Sequence, residues 1–311
     1  MLLKTSSRIT KPPPYARVDL THPLGRKCQA VILFSSGQGL GKNAGPVGAT
    51  TFIETPPVQY YQTQNNRLSM IFGTTVPVMT ANSYGPAMFF GSDFSGMDIG
   101  VIPGFETYDL DYPEFGVGAT VDRGQTICVI RRKVDTTLRA STLFGVEDAI
   151  YGTSVNCCGT HCPFSDGFVY WDYGNNTGLP NRIIATGQSW HTRVERFVFH
   201  AGPRGSAIWR DGQVIASQAV AVSRIVPAMA SDFSGWTLNG GNRRAVNGSG
   251  DIQEINFIIY IADQWSDAQI QWWFEEPYAM LYTSFMDRSY FFLGAAAAPP
   301  AISEHASSWM M

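Results

Sequence analysis

Between Gly187 and Ser217 apolar and polar residues alternate in short runs broken by tight-turn signals. Val194, Phe197 and Phe199 carry the first run, and a Gly-Pro-Arg-Gly step at Gly202–Gly205 ends it. A second run, Ser206–Arg210, meets Asp211-Gly212, and a third follows from Gln213 to Ala216. Asp-Gly between two β-rich runs predicts a type I′ hairpin, because that turn needs positive φ at both central residues. The stretch therefore reads as strand, Gly-Pro turn, strand, tight turn, strand.

Further strands are expected at Gln29–Phe34, Leu68–Phe72, Ala87–Phe90, Leu143–Val146, Gly167–Trp171 and Asn256–Ile261. Thr126–Lys133 alternates and then turns charged, which predicts a strand with one buried face. One helix stands out, from Asp267 to Glu275. Ser266 suits its N-cap and Asp267 its first-turn dipole, Ile270, Trp273 and Phe274 share a face, and Pro277 stops it. Glu275 and Glu276 oppose the dipole at its end and are expected in solvent.

Composition agrees with an all-β reading. In 311 residues there are 31 Gly and 18 Pro, with 13% aromatic and only 15% charged residues, which suits buried strands joined by many turns. An all-β sandwich of this length is commonly one domain. A net charge of −3 gives no electrostatic reason to expect nucleic acid. The basic clusters Arg131-Arg132-Lys133 and Arg243-Arg244 read as solvated faces. No apolar run approaches the ~20 residues that span a bilayer, so membrane insertion is not expected. The opening MLLKTSSRITKPPP has no apolar core of a signal peptide, so synthesis without secretion is expected.

Residues 1–20 and 286–311 read as arms flanking one domain over residues 21–285. Pro12, Pro13 and Pro14 favour extended chain. The C-terminal segment holds Tyr290, Phe291, Phe292 and Trp309, aromatic residues suited to docking on a neighbouring subunit. The Gly-rich loop 35–48 leads into no helix, so it reads as a connector and not as a phosphate cradle.

Chemistry-bearing residues are few. Trp171, Asp172, Tyr173, Asn175 and Asn176 form the stretch best suited to sugars, with aromatic faces to stack on rings and Asp and Asn to bond hydroxyls. The competing reading is a strand end and a polar turn. Cys157, Cys158, His161 and Cys162 form the densest ligand cluster, expected on a loop. Three thiols and an imidazole could hold zinc, but the adjacent pair is spaced against it, and free thiols or one disulfide are the alternatives. His161 and Cys162 lack a visible third group to make a nucleophile pair.

Trp190 with its strands, the Asp211-Gly212 turn, and then Gly250–Ile255 followed by Trp265-Ser266-Asp267-Ala268-Gln269-Ile270, together resemble the laminin-G-like and concanavalin A-like jelly rolls. Thr21-His22-Pro23-Leu24 before an apolar strand, and SDAQIQWWFEEPYAML at the close, resemble the versions carried by tailed bacteriophages. The resemblance implies a concanavalin A-like β-sandwich with one short C-terminal helix, in a non-enzymatic virion protein. A capsid-decorating subunit is the leading reading; a tail-fibre adhesin or a free carbohydrate-binding module is the alternative. It implies other virion proteins and further copies of the chain as partners, and a host-surface glycan as ligand. Some members bind calcium through acidic loop residues, which makes Asp93 and Asp98 the calcium candidates. A turn-capping role competes, since calcium wants six to eight oxygens. The glucanases of this superfamily carry alternating acids on one strand. Here Glu147-Asp148 and Glu275-Glu276 are adjacent pairs and Glu195 stands apart, so catalysis is not expected. Limited proteolysis of the full-length chain is expected to remove roughly the first 20 and last 25 residues and leave a stable core. Protected termini on a monomer would mean instead that they pack on their own domain.

Overall fold

The alternating stretch folds as three antiparallel strands, Val194–Gly202, Gly205–Arg210 and Gln213–Gln218, joined by the two expected turns. Asp211 and Gly212 have φ of 48° and 87°, the positive pair that the type I′ hairpin requires. A side chain at Gly202 would meet the Gly124 backbone at 2.6 Å, so the Gly-Pro turn admits only glycine there.

The computed structural model describes residues 16–19, 21–34, 51–52, 58–62, 70–72, 78–91, 96–98, 120–121, 123–146, 155–175, 180–225, 237–239 and 250–283. In chain order the strands begin with β1 (Ala16–Val18), β2 (Cys28–Phe34), β3 (Thr51–Phe52), β4 (Val58–Gln62), β5 (Met70–Phe72), β6 (Val78–Asn82) and β7 (Gly85–Phe90). They continue through β8 (Gly96–Asp98), β9 (Thr120–Val121), β10 (Gln125–Lys133), β11 (Phe144–Val146), β12 (Val155–His161), β13 (Val169–Asn175) and β14 (Arg182–Ala185). After β15, β16 and β17, the three strands above, come β18 (Arg224–Ile225), β19 (Thr237–Leu238), β20 (Gln253–Ile261), helix α1 (Asp267–Glu275) and β21 (Leu281–Thr283).

Two antiparallel sheets make a jelly-roll β-sandwich. The larger runs β17-β16-β15-β10-β20-β2-β4, with β7 also on β20 and β6 on β7. The smaller runs β14-β13-β12-β11-β19-β8-β5-β3. Their facing sides share one core: Ile127, Val129, Phe197, Phe199, Ile258 and Tyr260 from the larger, Phe144, Val169, Trp171, Tyr173 and Leu238 from the smaller. Phe144 meets Trp171, Phe199 and Tyr260 edge-on, at 6.0, 5.5 and 6.1 Å between ring centres.

The outer face of the larger sheet is covered as well. Trp265, helix α1 and the turn after it cover this face, with Trp265, Ile270, Trp273, Phe274, Tyr278 and Met280 packed on Cys128, Ile130, Val198, Trp209, Phe257 and Ile259. This differs from the expectation for Thr126–Lys133: β10 is buried on both faces, because α1 covers the side that alternation assigned to solvent. The helix starts where expected. Ser266 accepts from the Gln269 amide at 3.4 Å, and Gln269 Oε1 accepts from the Ser266 amide at 3.0 Å. Its last turn carries no basic residue; Arg196 of β15 supplies one instead, bonding the Phe274 carbonyl and lying 5.5 Å over its ring.

Ala16–Val18, inside the expected N-terminal arm, is a strand paired with β21, and Val18 is buried in the second core. Pro12, Pro13, Pro14, Tyr290, Phe291, Phe292 and Trp309 lie outside the described residues. Near the second core, His200 is buried; its Nε2 accepts from Trp209 Nε1 at 3.3 Å. Burial holds its pKa down at about 4 from an ordinary 6.5. The unfolded chain therefore takes up this proton first, so stability is full above about pH 6.5 and falls as pH drops towards 4. The loss is on the order of 3 kcal/mol. Burial also lowers His161, which adds in the same direction. Urea unfolding at pH 7 and pH 4.5 is expected to resolve this loss, and a His200→Gln variant to show a smaller one. An unchanged pH dependence in that variant would refute the assignment.

Candidate functional site

Alternation sends the side chains of β10, β15 and β16 that follow the apolar core into the same inter-sheet space, and there they are charged. Arg131 and Lys133 continue the inner face of Ile127 and Val129; Glu195 continues that of Phe197, and Arg210 that of Ile208. Arg131, Lys133, Glu195 and Asp251 have no exposed side-chain surface. This corrects the reading of Arg131-Arg132-Lys133 as a solvated face: only Arg132, pointing the other way to Glu254 at 2.6 Å, is substantially exposed. It also corrects the reading of Glu195 as isolated. Strand pairing sets it directly opposite Arg131, and its Oε2 lies 3.8 Å from Arg131 Nη2, while Oε1 accepts from Arg210.

Asp251 completes the network. It contacts Lys133, accepts from Arg139 at 3.1 Å and lies 3.8 Å from Arg131. Arg139 also grips Asp135 through two bonds of 2.8 Å, holding that carboxyl down at about 2. Trp190 and Phe197, stacked 6.4 Å apart, flank the guanidinium groups: Arg131 lies 5.1 Å from each ring centre and Arg210 4.8 and 5.6 Å. Ring faces thus replace some of the hydration these cations give up.

The network fixes three loops at this end of the sandwich. Lys133 donates to Thr137 O, Arg210 to Gln188 Oε1 and Ser189 O, and Trp190 Nε1 to Gly167 O at 2.8 Å. Around Gly167 the turn builds itself: Asp166 Oδ1 accepts from the Phe168 amide at 2.9 Å, and Gly167, at φ 82°, sits under Leu138. The surface that results is aromatic. Phe164, Phe168 and Tyr170 are half-buried with ring centres 5.7 and 6.4 Å from Tyr170, His161 adjoins Phe164 at 4.9 Å, and Leu138 is 42% exposed. Asp166 Oδ2 accepts from the Tyr170 hydroxyl at 2.5 Å. Burial and that carboxylate push the phenol up to about 12, so it remains a donor at any physiological pH. Arg182 covers one face of Tyr170 at 4.9 Å and bonds Asp172 at 2.5 and 2.7 Å.

The expected sugar-binding stretch is thereby divided. Trp171 and Tyr173 point inward with 0% exposure and are core, so neither offers a ring face to a sugar. Asp172 points outward, but both its oxygens are occupied by Arg182 and burial raises its pKa. Asn175 ends β13 with its side chain outside the described residues, where Asn176 also lies. The outward residues that do form a surface, Phe168 and Tyr170, alternate with those two core aromatics. A one-residue difference in parity separates the readings. The Asp166-Gly167 turn was the available signal.

Cys157, Cys158 and His161 lie on a strand, β12, and not on the expected loop, and Cys162 directly follows it. His161 faces outward, with Nδ1 3.0 Å from Ser141 O, while Cys162 is a buried free thiol pushed up to about 11 by burial. The two do not form a nucleophile pair. Cys28 and Cys128 are buried cysteines on strands either side of β20. The side chains of Cys157, Cys158 and Asp98, and all of Asp93, lie outside the described residues. Among the described residues, no three His, Cys, Asp or Glu side chains gather as a metal site.

No family model matches the chain, and no curated protein matches it. Among solved structures it is similar to domain 4 of AbnA, a GH43 extracellular arabinanase from Geobacillus stearothermophilus, in complex with arabinotriose. Identity is 12% and the TM-score 0.47, over 79% of this chain and 97% of that one. It is also similar to the CBM40 of the Ruminococcus gnavus IT-sialidase bound to α2,3-sialyllactose (12%, TM-score 0.44, over 62% and 96%). A third is Trypanosoma rangeli sialidase (10%, TM-score 0.47); 86% of this chain aligns with 36% of the sialidase.

Removing one partner of the buried network leaves opposite charges unpaired. Glu195→Gln is expected to cost about 3–5 kcal/mol in urea unfolding. A loss below about 1 kcal/mol would show that Arg131 and Arg210 are satisfied without it.

Proposed function

We propose that the chain is a non-enzymatic carbohydrate-recognition module whose ligand face is the aromatic surface around Gly167. The observation that carries this reading is the gathering of Phe164, Phe168 and Tyr170 on a turn tied to a buried ionic network through the Trp190–Gly167 bond. Rigid, partly exposed rings bind the apolar faces of sugars with little ordering cost. Ser165 and Asp166, exposed on the same turn, carry groups that hydrogen-bond hydroxyls. A non-catalytic role is supported by the position of the acids: Glu195 and Asp251 are sealed between the sheets, and Glu254 is paired with Arg132 and Asn82. In most glycosidases two carboxyl groups flank the bond that is hydrolysed.

A second, narrower reading gives this module a location on a tailed-phage particle, as a capsid-decorating or tail-fibre subunit in several copies. It is supported by the sequence resemblance, and by the meeting of its two terminal motifs: His22 contacts the Trp272 ring at 4.7 Å, and Gln269 Nε2 bonds Pro23 O at 3.2 Å. The termini would then grip the particle and leave the far end of the sandwich to the ligand.

Screening the full-length chain against a glycan array, followed by calorimetric titration of the best ligand, tests the first reading. Phe168→Ala and Tyr170→Ala are each expected to weaken binding about three- to tenfold. Retained affinity in the double variant, or no glycan bound at all, would sink it.

A further inference from the structure

We infer that Lys133 and Asp251 are joined by an intramolecular amide cross-link, formed with loss of water, between β10 and the segment that enters β20. The two side chains are in direct contact, Nζ to Oδ2, and both are fully buried. Lys133 ends β10 directly opposite Gln253, the first residue of β20, so neither strand needs to move to join them.

The surroundings direct the amine at the carboxyl carbon. Nζ also donates to Thr137 O at 3.2 Å, which fixes its approach. Asp251 is held by its own amide to Asn239 Oδ1 at 2.9 Å. Its Oδ1 accepts from Arg139 Nη1 at 3.1 Å and from the Ile252 amide at 3.0 Å, and Arg131 Nη1 lies 3.8 Å from Oδ2. Burial makes a free amine more accessible at Lys133, and Arg131 and Arg139 push the same way, while Asp251 opposes them.

The reaction needs no oxidant or cofactor. The ammonium passes one proton to Oδ2 across the contact, giving amine and acid. The amine lone pair attacks Cγ, and the carbonyl electrons move onto Oδ1, where the Arg139 and Ile252 donors meet the developing charge. A second proton passes from nitrogen to the Oδ2 hydroxyl, the C–Oδ2 bond breaks, and water leaves. One ammonium and one carboxylate become one amide and one water, with no change in net charge. A dry interior favours this direction, because an ion pair that is costly to keep from water is replaced by a neutral group.

Intact mass of the denatured full-length wild-type chain tests the inference. A mass one water, about 18 Da, below that of the sequence is expected. Proteolysis should then yield a branched peptide containing both Lys133 and Asp251. Lys133→Arg and Asp251→Ala chains should show no such loss. Linear wild-type peptides bearing both residues unmodified would overturn it. So would the loss of water within a linear Asp251 peptide, which marks a cyclic imide. Because the wild-type chain itself is weighed, a variant that fails to fold does not decide the matter.

Discussion

The buried charges on the inner faces of β10, β15 and β16 constrain everything at one end of this sandwich. Apolar residues fill the space between the sheets from Ile127 and Phe199 up to Phe197, and there the sequence changes to Arg131, Lys133, Glu195 and Arg210 without any change of direction. Desolvated charges are tolerated only when paired and well bonded, so each must find its partner before the sheets close. The partners come from distant parts of the chain: Asp251 from before β20, Arg139 and Thr137 from the loop after β10, Trp190 from the loop before β15. A single register brings them together. Slipping β15 by one residue would turn Glu195 to the outer face and leave Arg131 without it.

That requirement explains why the loops at this end are built from side chains gripping backbone. Arg210 reaches Ser189 O, Lys133 reaches Thr137 O, and Ser141 Oγ donates to Pro163 O at 2.5 Å. Each loop is therefore tied to the sheet by a bond to a buried group or to a neighbouring loop. The aromatic surface around Gly167 inherits that rigidity through the Trp190 bond. Along β10, β15 and β20 of the larger sheet the situation differs, because both faces are closed, the inner by the smaller sheet and the outer by α1. Ligand chemistry there has little room, which leaves loop ends and the outward face of the smaller sheet.

Much of the architecture was legible in the sequence because local chemistry dictates it. Asp211-Gly212 specifies its turn whatever surrounds it, and Ser266 with Gln269 caps α1 using atoms three residues apart. The antiparallel sheets and helix α1 follow from such signals. What was not legible depends on contacts between segments. The alternation in TICVIRRK marks two faces but does not say that α1 will cover one of them, or that Glu195 will stand opposite Arg131. A charged run at the end of an apolar strand looks the same whether it meets water or a buried partner. The stretch from Phe168 to Tyr173 carries aromatics on both faces, so alternation fixes two sets without ranking them. Only the contacts with Phe144 on the same inner face and with Phe199 across the core identify Trp171 as the inward one.

The same ambiguity bears on how a surface of this kind arises. A strand with aromatic residues on both faces can present either set, and the choice lies with its neighbours. Here Trp171 donates to His200 O across the core at 3.2 Å, a bond available only from the inner face. Burial removes water from this indole N–H, and the bond supplies the partner that it would otherwise lack in the core. Tyr170 and Phe168 are outward as a consequence, and the Asp166 carboxylate and Arg182 guanidinium then order the tyrosine. The exposed aromatic face is thus set from inside: Trp171 and Tyr173 fill the core, which leaves Phe168 and Tyr170 facing outward, and the buried charges nearby hold the turn that presents them.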